Sequence, residues 1–436
     1  MITAQEFARR RRDLMATLSK NSIAILTAAP EQVRSRDTYF PYRQDSNFFY
    51  LTGFHEPEAV LVLIPKRPQG QFILFCRERD RSREIWDGRR AGPEGAREQY
   101  GADDAFPIDD IDEILPGLLE GRDRVYYALG RNRTFDTRLL DWIDGIRARA
   151  RSGAVPPDEF VDLDHLLHEA RLFKTATELK VMRKAGAISA RAHCRAMRAA
   201  RPGLYEYQLQ AEIEHAFASE GARHPAYGSI VGGGANACVL HYVENSASLQ
   251  DGDLVLIDAG CELEHYAADI TRTFPVNGKF SAPQQALYEV VLAAQLAAIE
   301  AARAGNHWDE PHRVTVKIIT QGLVDLGLLK GNVEDLIARN AYTDFYMHRA
   351  GHWLGMDVHD VGDYKVDNEW RLLEPGMVMT VEPGIYVAPD NRKVAKKWRG
   401  IGIRIEDDVV ITRKGPEVLT AGVPKTVADI ERLMAP

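Results

Sequence analysis

Cysteine is scarce in this chain. Cys76, Cys194, Cys238 and Cys261 are the only four in 436 residues, and no two form a C-x-x-C pair. That excludes a disulfide framework and a structural zinc knuckle, and it fits a reducing, cytoplasmic setting. Long apolar runs are also missing, since none approaches the ~18–20 residues that a membrane span needs. The first twenty residues are basic and helical in pattern but lack the apolar stretch of a secretory signal. Positive charge is not in excess. The formal net charge is -8, which argues against a nucleic-acid groove. The short basic clusters at 9–12 and 147–151 read as solvated helix faces. No low-complexity tract or short tandem repeat occurs.

Hydrophobic residues make up 45% of the sequence, enough for two or three cores at this length. The runs "SIAILTAA" (22–29), "AVLVLIPK" (59–66), "QFILFCRE" (71–78) and "RVYYALG" (124–130) read as buried strands. Helical patterns fall around 110–120 and 136–150. A capping box, Thr175 followed by Glu178, predicts a helix through residue 200. From 226 the pattern turns to strands, then to helices at about 282–304 and 310–328, then to strands again. The expectation is a mixed α/β (α+β) protein of two domains, 1–173 and 174–436. The second domain reads helix–helix–strands twice.

Five potential metal ligands lie in order along that second domain: Asp258, Asp269, His352, Glu382 and Glu406. Carboxylate-rich sets suit hard divalent ions, and two such ions close together activate water for hydrolysis. In "LVLIDAGCELEHYAADITRTF" the spacing permits a hairpin with Asp258 and Asp269 on one face. In "HRAGHWLGMDVHDVG", His348, His352 and His359 alternate with Gly351, Gly355 and Gly362, which let the backbone turn closely. His348 and His352 face the same way if that segment is helical. "MVMTVEPGIYV" and "GIGIRIEDDVV" each deliver a glutamate from a β-branched run. Period-two alternation puts Arg404 beside Glu406, an arrangement that a structural ion pair also explains.

Taken in order, the five residues resemble the metal-binding set of the pita-bread metallopeptidases of family M24. "YFPYRQDSNFFYLTGFHEPEAVLVL" (39–63) is similar to the N-terminal domain of the aminopeptidase P branch. "HYVEN", "EPGMVMTVEPGIYVAPD" and "WRGIGIRIEDDVVIT" also resemble that branch, and the likeness spans nearly the whole chain. The resemblance implies a creatinase/aminopeptidase P-type N-terminal domain, a pita-bread catalytic domain and hydrolysis of Xaa-Pro bonds in proline-containing peptides. It implies two divalent ions per subunit, typically manganese. Asp269 and Glu406 would bridge them, Asp258 would complete one shell, and His352 and Glu382 the other. A bridging water or hydroxide would be the nucleophile, with Glu382 shuttling the proton. His241, His348 and His359 would hold substrate and the oxyanion, and Arg404 would orient ligands. Tyr386 lies near the site in the motif.

By the same resemblance, Asp37 and Trp86 would help close the site, in a homodimer or homotetramer where a neighbouring subunit contributes. Arg349 departs from the pattern, standing where small or apolar residues are more usual. The segment 301–313 also departs, and His307 and His312 there read as surface residues. Prolidase, restricted to Xaa-Pro dipeptides, is the nearest rival. A non-catalytic pita-bread protein is more distant, because the ligand set is intact.

Overall fold

The apolar runs become the middle of a six-stranded sheet in the computed structural model, which describes residues 2–435. The chain divides into two units, Ile2–Ala170 and a second beginning at Arg171, a break that falls inside the helix Leu163–Leu172. In the N-terminal unit the sheet order is Asp104–Pro107, Phe72–Cys76, Val60–Leu63, Ser22–Thr27, Arg124–Tyr126, Glu159–Val161. The three inner runs pair antiparallel, and the flanking strands add in parallel. Continuous burial explains their unbroken Val/Ile/Leu/Phe character. The helices Ile111–Leu119 and Arg133–Ala148 supply Leu115, Leu119, Leu139 and Ile143 to the same core.

The first basic cluster is not a solvated face. Arg10 and Arg11 are buried, and their guanidinium groups donate to the carbonyls of Tyr50 (3.1 Å) and Leu51 (2.7 Å). Those carbonyls end the short helix Ser46–Thr52 and have no intrahelical partner. Each guanidinium also lies about 4 Å over a ring, Tyr50 or Phe72. Guanidinium hydrogen bonding and stacking thus make these two charges tolerable inside.

The C-terminal unit follows the twofold pattern. The helices Ala176–Ala199 and Glu206–Ser219 precede the sheet Ile230–Gly233, Leu254–Asp258, Thr271–Pro275. The helices Ala282–Ala301 and Glu310–Asp325 precede the sheet Val378–Val381, Asp407–Thr412, Gly415–Val418. Thr175 accepts from the Glu178 amide and Glu178 accepts from the Thr175 amide, so both halves of the capping box form. No helix among the described residues is long and apolar enough to cross a membrane. All four cysteines are free thiols.

A buried ion cluster pins the histidine-bearing loop 348–362 to the start of this unit. Asp360 accepts from Arg171 (2.6 Å) and Lys174 (2.9 Å), and all three side chains are at most 3% exposed. The two cations hold the Asp360 carboxyl below its ordinary value against the effect of burial. A depressed carboxyl stabilises the fold above the unfolded value of about 4 and loses that contribution as pH falls through the folded value. Asp360→Asn takes the carboxylate from the buried Lys174, while Arg171 keeps Asp357 at 2.7 Å, and is expected to cost about 3 kcal/mol. Urea unfolding at pH 7 measures the loss, and unchanged stability would refute the role.

Candidate metal centre

Four of the five ligand candidates stand at a strand end or in the link that follows, and His352 lies in an irregular segment. Asp258 ends the strand Leu254–Asp258 and pairs with Thr271, so Asp269 sits just before the next strand. The antiparallel pairing that the spacing permits does form, Leu254–Asp258 against Thr271–Pro275, but no short turn joins the two strands. The intervening residues fold into their own small hairpin, Cys261–Leu263 against Tyr266–Ala267, turning at Glu264–His265 with both φ positive. Ten residues separate the two aspartates, more than a tight turn consumes, and the surplus pairs with itself. Gly260 makes the approach possible, since a Cβ there would lie 1.7 Å from the Ala268 carbonyl oxygen.

The segment carrying His348 and His352 is irregular, not helical. Its backbone lies against the strand Val378–Val381. The His352 amide donates to Thr380 Oγ1 (3.1 Å), and the Thr380 amide donates to the His352 carbonyl (2.9 Å). Gly351 permits this, because a Cβ would stand 2.0 Å from the Thr380 carbonyl oxygen. Glu382 follows that strand directly, and Glu406 links Gly402–Arg404 to Asp407–Thr412.

The five side chains converge on one cavity of about 880 Å³, which His241, His348, His359 and Arg404 also line. One donor atom each from Asp269, His352 and Glu406 fits within 4.8 Å of the others. His352 Nε2 lies 3.5 Å from Asp269 and 3.8 Å from Glu382. Its Nδ1 is 2.9 Å from the Trp353 carbonyl, which can only accept, so Nδ1 carries a proton and Nε2 faces the carboxylates. Arg404 donates to Asp258 (2.6 Å), to Thr271 (3.1 Å) and to the Tyr386 hydroxyl (3.1 Å). Glu406 instead accepts from Thr271 Oγ1 (2.7 Å), so no Arg404–Glu406 ion pair forms.

Charge is out of balance here. Four carboxylates face one guanidinium and one imidazole. Burial, then the neighbouring carboxylates, raises Glu406 far above its ordinary value. Burial lifts Glu382 to about 7 although His352 and Arg404 pull it down. Asp269 is raised by burial and by Asp258. Burial alone would lower His352, but Asp269 and Glu382 hold it at about 9. A buried cluster of this sign is completed by cations, and an oxygen-rich set with one imidazole suits hard divalent ions.

Tyr227 is a site residue that the sequence reading passed over. Its hydroxyl lies 2.6 Å from Asp258 and 2.5 Å from Asp269. One phenolic proton serves only one of them, so the second contact needs a proton on a carboxylate or a nearby cation. The only sequence signal was an aromatic opening the run "YGSIVGGG". Asp408 was also missed. It is buried, and its carboxylate accepts from the Asp269 amide (3.1 Å), fixing that ligand's backbone.

His348 is held neutral, its value pushed down to about 3 by burial and by Arg404. Its Nδ1 faces the Arg349 carbonyl (2.7 Å), so Nε2 accepts from the Tyr386 hydroxyl (2.8 Å). The chain Arg404–Tyr386–His348 is therefore one directional hydrogen-bond relay. His359 packs edge-on against His352 with centroids 4.3 Å apart, and burial and His352 lower it. His307 is exposed as expected. His312 is not a surface residue: it is half-buried near Tyr346, and burial with Arg349 lowers it to about 4. Neither joins the ligand cluster. Asp37 and Trp86 belong to the N-terminal unit, where both are exposed, Trp86 by 84%. Asp37 occupies the tip of the hairpin formed by Val33–Ser35 and Thr38–Tyr39.

Residues 180–413 match the family described as Metallopeptidase family M24, and residues 7–126 match Aminopeptidase P, N-terminal domain. The chain is 50% identical over 434 residues to an Xaa-Pro aminopeptidase of Escherichia coli (strain K12), spanning 99% of this chain and 98% of the relative. A solved structure of the Pseudomonas aeruginosa aminopeptidase PepP matches with a TM-score of 0.99 at 67% identity, over 100% of this chain and 99% of the other. A zinc-substituted Escherichia coli aminopeptidase P in complex with product matches at 0.97 and 50% identity, over 99% and 98%. The chain belongs to metallopeptidase family M24, with the two-domain build of its aminopeptidase P members.

Proposed function

We propose that this chain is a metal-dependent aminopeptidase that releases the N-terminal residue from peptides with proline second. One observation carries the hydrolytic reading: four carboxylates and the Nε2 of His352 line one cavity so close together that the carboxylates raise one another's values. Full-length similarity to Xaa-Pro aminopeptidases supports the proline requirement. In this reading residues 1–173 form the aminopeptidase P-type domain and 174–436 the catalytic domain.

Asp269 and Glu406 would be shared by two divalent cations, manganese by preference, with Asp258 on one and His352 and Glu382 on the other. When bound, the pair supplies an activated water and polarises the scissile carbonyl. Glu382, which lines the same cavity, would take a proton from the attacking water and pass it to the departing proline nitrogen. His241, His348 and His359 would hold substrate, and His241 and His359 would donate to the developing oxyanion, because both ring nitrogens of neutral His348 are taken by the Arg349 carbonyl and the Tyr386 hydroxyl. Arg404 keeps Asp258, Thr271 and Tyr386 in register. The Xaa-Pro bond has no N–H and carries a ring of fixed φ, so a pocket shaped to that ring can select it. Asp37 and Trp86 would close the site from a neighbouring subunit of a homodimer or homotetramer, which suits a tryptophan so exposed. Free thiols suit a cytoplasmic setting.

The test is a peptide series. The manganese-loaded enzyme is expected to cleave Ala-Pro-Ala and to leave Ala-Ala-Ala intact. Cleavage of Ala-Pro alone would move the assignment to prolidase, and no cleavage of any peptide would remove the enzyme reading.

A further inference from the structure

The wall of the cavity beside His348 carries two cations with no countercharge. Lys365–Val366 and Glu369–Trp370 form a tight hairpin whose turn, Asp367–Asn368, has both φ positive. Lys365 and Trp370 are direct cross-strand partners, so both side chains project from the same face. The Lys365 ammonium lies 4.6 Å from the Trp370 ring centre, and the Arg349 guanidinium lies 4.7 Å from it. The hairpin is itself tethered: His307 Nδ1 donates to the Trp370 carbonyl (2.7 Å), and the Trp308 amide donates to the Arg371 carbonyl (2.9 Å). Arg349, Lys365 and Trp370 all line the cavity that holds the metal-ligand candidates.

Among the described residues neither Arg349 nor Lys365 has a carboxylate partner or a side-chain hydrogen bond. The tryptophan ring orders both cations without neutralising them, since its face attracts charge but offers no acceptor. Guanidinium and ammonium donors are thus left available on the cavity wall.

We propose that Arg349 and Lys365, gathered on Trp370, recognise a carboxylate on the leaving side of the scissile bond. This inference rests on the aminopeptidase reading. A peptide substrate carries its ammonium before the cleaved bond and its carboxylate after it. The Arg349–Lys365 wall repels the ammonium end and attracts the carboxylate end, whichever charge the metal ligands keep once cations are bound. The carboxylate end, bearing proline and the following residue, is directed toward Trp370. The carboxylate is the α-carboxylate of a short peptide or an acidic side chain after proline. Arg349 therefore biases a general Xaa-Pro site toward short or acidic peptides.

The experiment uses the full-length manganese-loaded enzyme. KM and kcat are compared for Ala-Pro-Ala and its C-terminal amide, and for Ala-Pro-Asp-amide and Ala-Pro-Asn-amide. Binding of the products Pro-Ala and Pro-Ala-amide is measured in parallel by calorimetry. The carboxylate-bearing member of a pair is expected to show a KM roughly fivefold to tenfold lower, with kcat alike, because exposed charge-assisted contacts are of that strength. Arg349→Gln is expected to bring the ratio close to one, Arg349→Lys to keep part of it, and Lys365→Gln to halve it roughly. Raising the salt should shrink the ratio in the parent enzyme. Preference in the first pair alone assigns the α-carboxylate, and preference in the second alone assigns the side chain. An enzyme that cleaves all four peptides with ratios unmoved by Arg349→Gln overturns the inference while leaving the aminopeptidase reading intact. Failure to cleave any of them strikes the reading beneath.

Discussion

Replacing Glu406 by glutamine is expected to lower kcat/KM on an Xaa-Pro-Yaa peptide by roughly a thousandfold or more, without unfolding the protein. The magnitude follows from the several kcal/mol of transition-state stabilisation that a metal pair supplies, at 1.36 kcal/mol per decade. The separation of activity from stability follows from the surroundings of Glu406. Its carboxylate is 1% exposed, and the carboxylates of Asp269, Glu382 and Asp258 all raise it. Glutamine keeps the shape, can still accept from Thr271 Oγ1, and is neutral without having to take up a proton in an overcrowded site. The metal-free variant should therefore melt at or above the temperature of the metal-free parent. Steady-state kinetics and melting curves on the same preparations check both halves. Retained activity would contradict the role of Glu406, and a large fall in metal-free melting temperature would make it structural.

Chelation is expected to abolish activity and to leave a protein whose stability falls as pH rises. In the metal-free site the folded state holds more protons than the unfolded chain. Glu382 sits near 7, against an unfolded glutamate value of about 4.3, and Asp269 and Glu406 are raised in the same sense. A raised carboxyl gives the fold its full proton-linked stability below the unfolded value and loses it as pH climbs through the folded value. His352, held at about 9, acts in the same direction: its contribution is complete below about 6.5 and disappears through 9. Bound cations replace those protons and remove the slope. At a free concentration about a hundredfold above Kd, each ion also adds roughly 2.7 kcal/mol. The gap in melting temperature between loaded and chelated protein should thus widen from pH 5 to pH 8. A gap that is constant or narrows would mean that cations do not occupy the carboxylate cluster.

The sequence made some of this legible because local chemistry decided it. Thr175 and Glu178 are three residues apart, and their reciprocal bonds need nothing else in the fold. Ser22–Thr27, Val60–Leu63 and Phe72–Cys76 are buried on every side, so their composition alone marks them. The ligand candidates stood out because each follows a β-branched run or sits among glycines. What stayed hidden depends on contacts between distant segments. Tyr227 reaches Asp258 and Asp269 across 31 and 42 residues, and nothing in its own neighbourhood announces that. Arg10 and Arg11 look like solvent-facing charge until the carbonyls of Tyr50 and Leu51, 40 residues on, are found waiting for them. His348 and His352 carry helical spacing, but Gly351 lets the chain press against Thr380 instead. The Arg349 departure was visible in the sequence, yet its sense came only with the hairpin that places Lys365 and Trp370 beside it.

The central claim is that five residues from five separate segments hold two cations that together make the enzyme active. The direct test is the rate of Ala-Pro-Ala hydrolysis as manganese is titrated into chelated protein at a concentration well above Kd. The account predicts that the rate rises and then breaks at two equivalents of metal per chain. A break at one equivalent, or a rate that does not depend on metal, would contradict it.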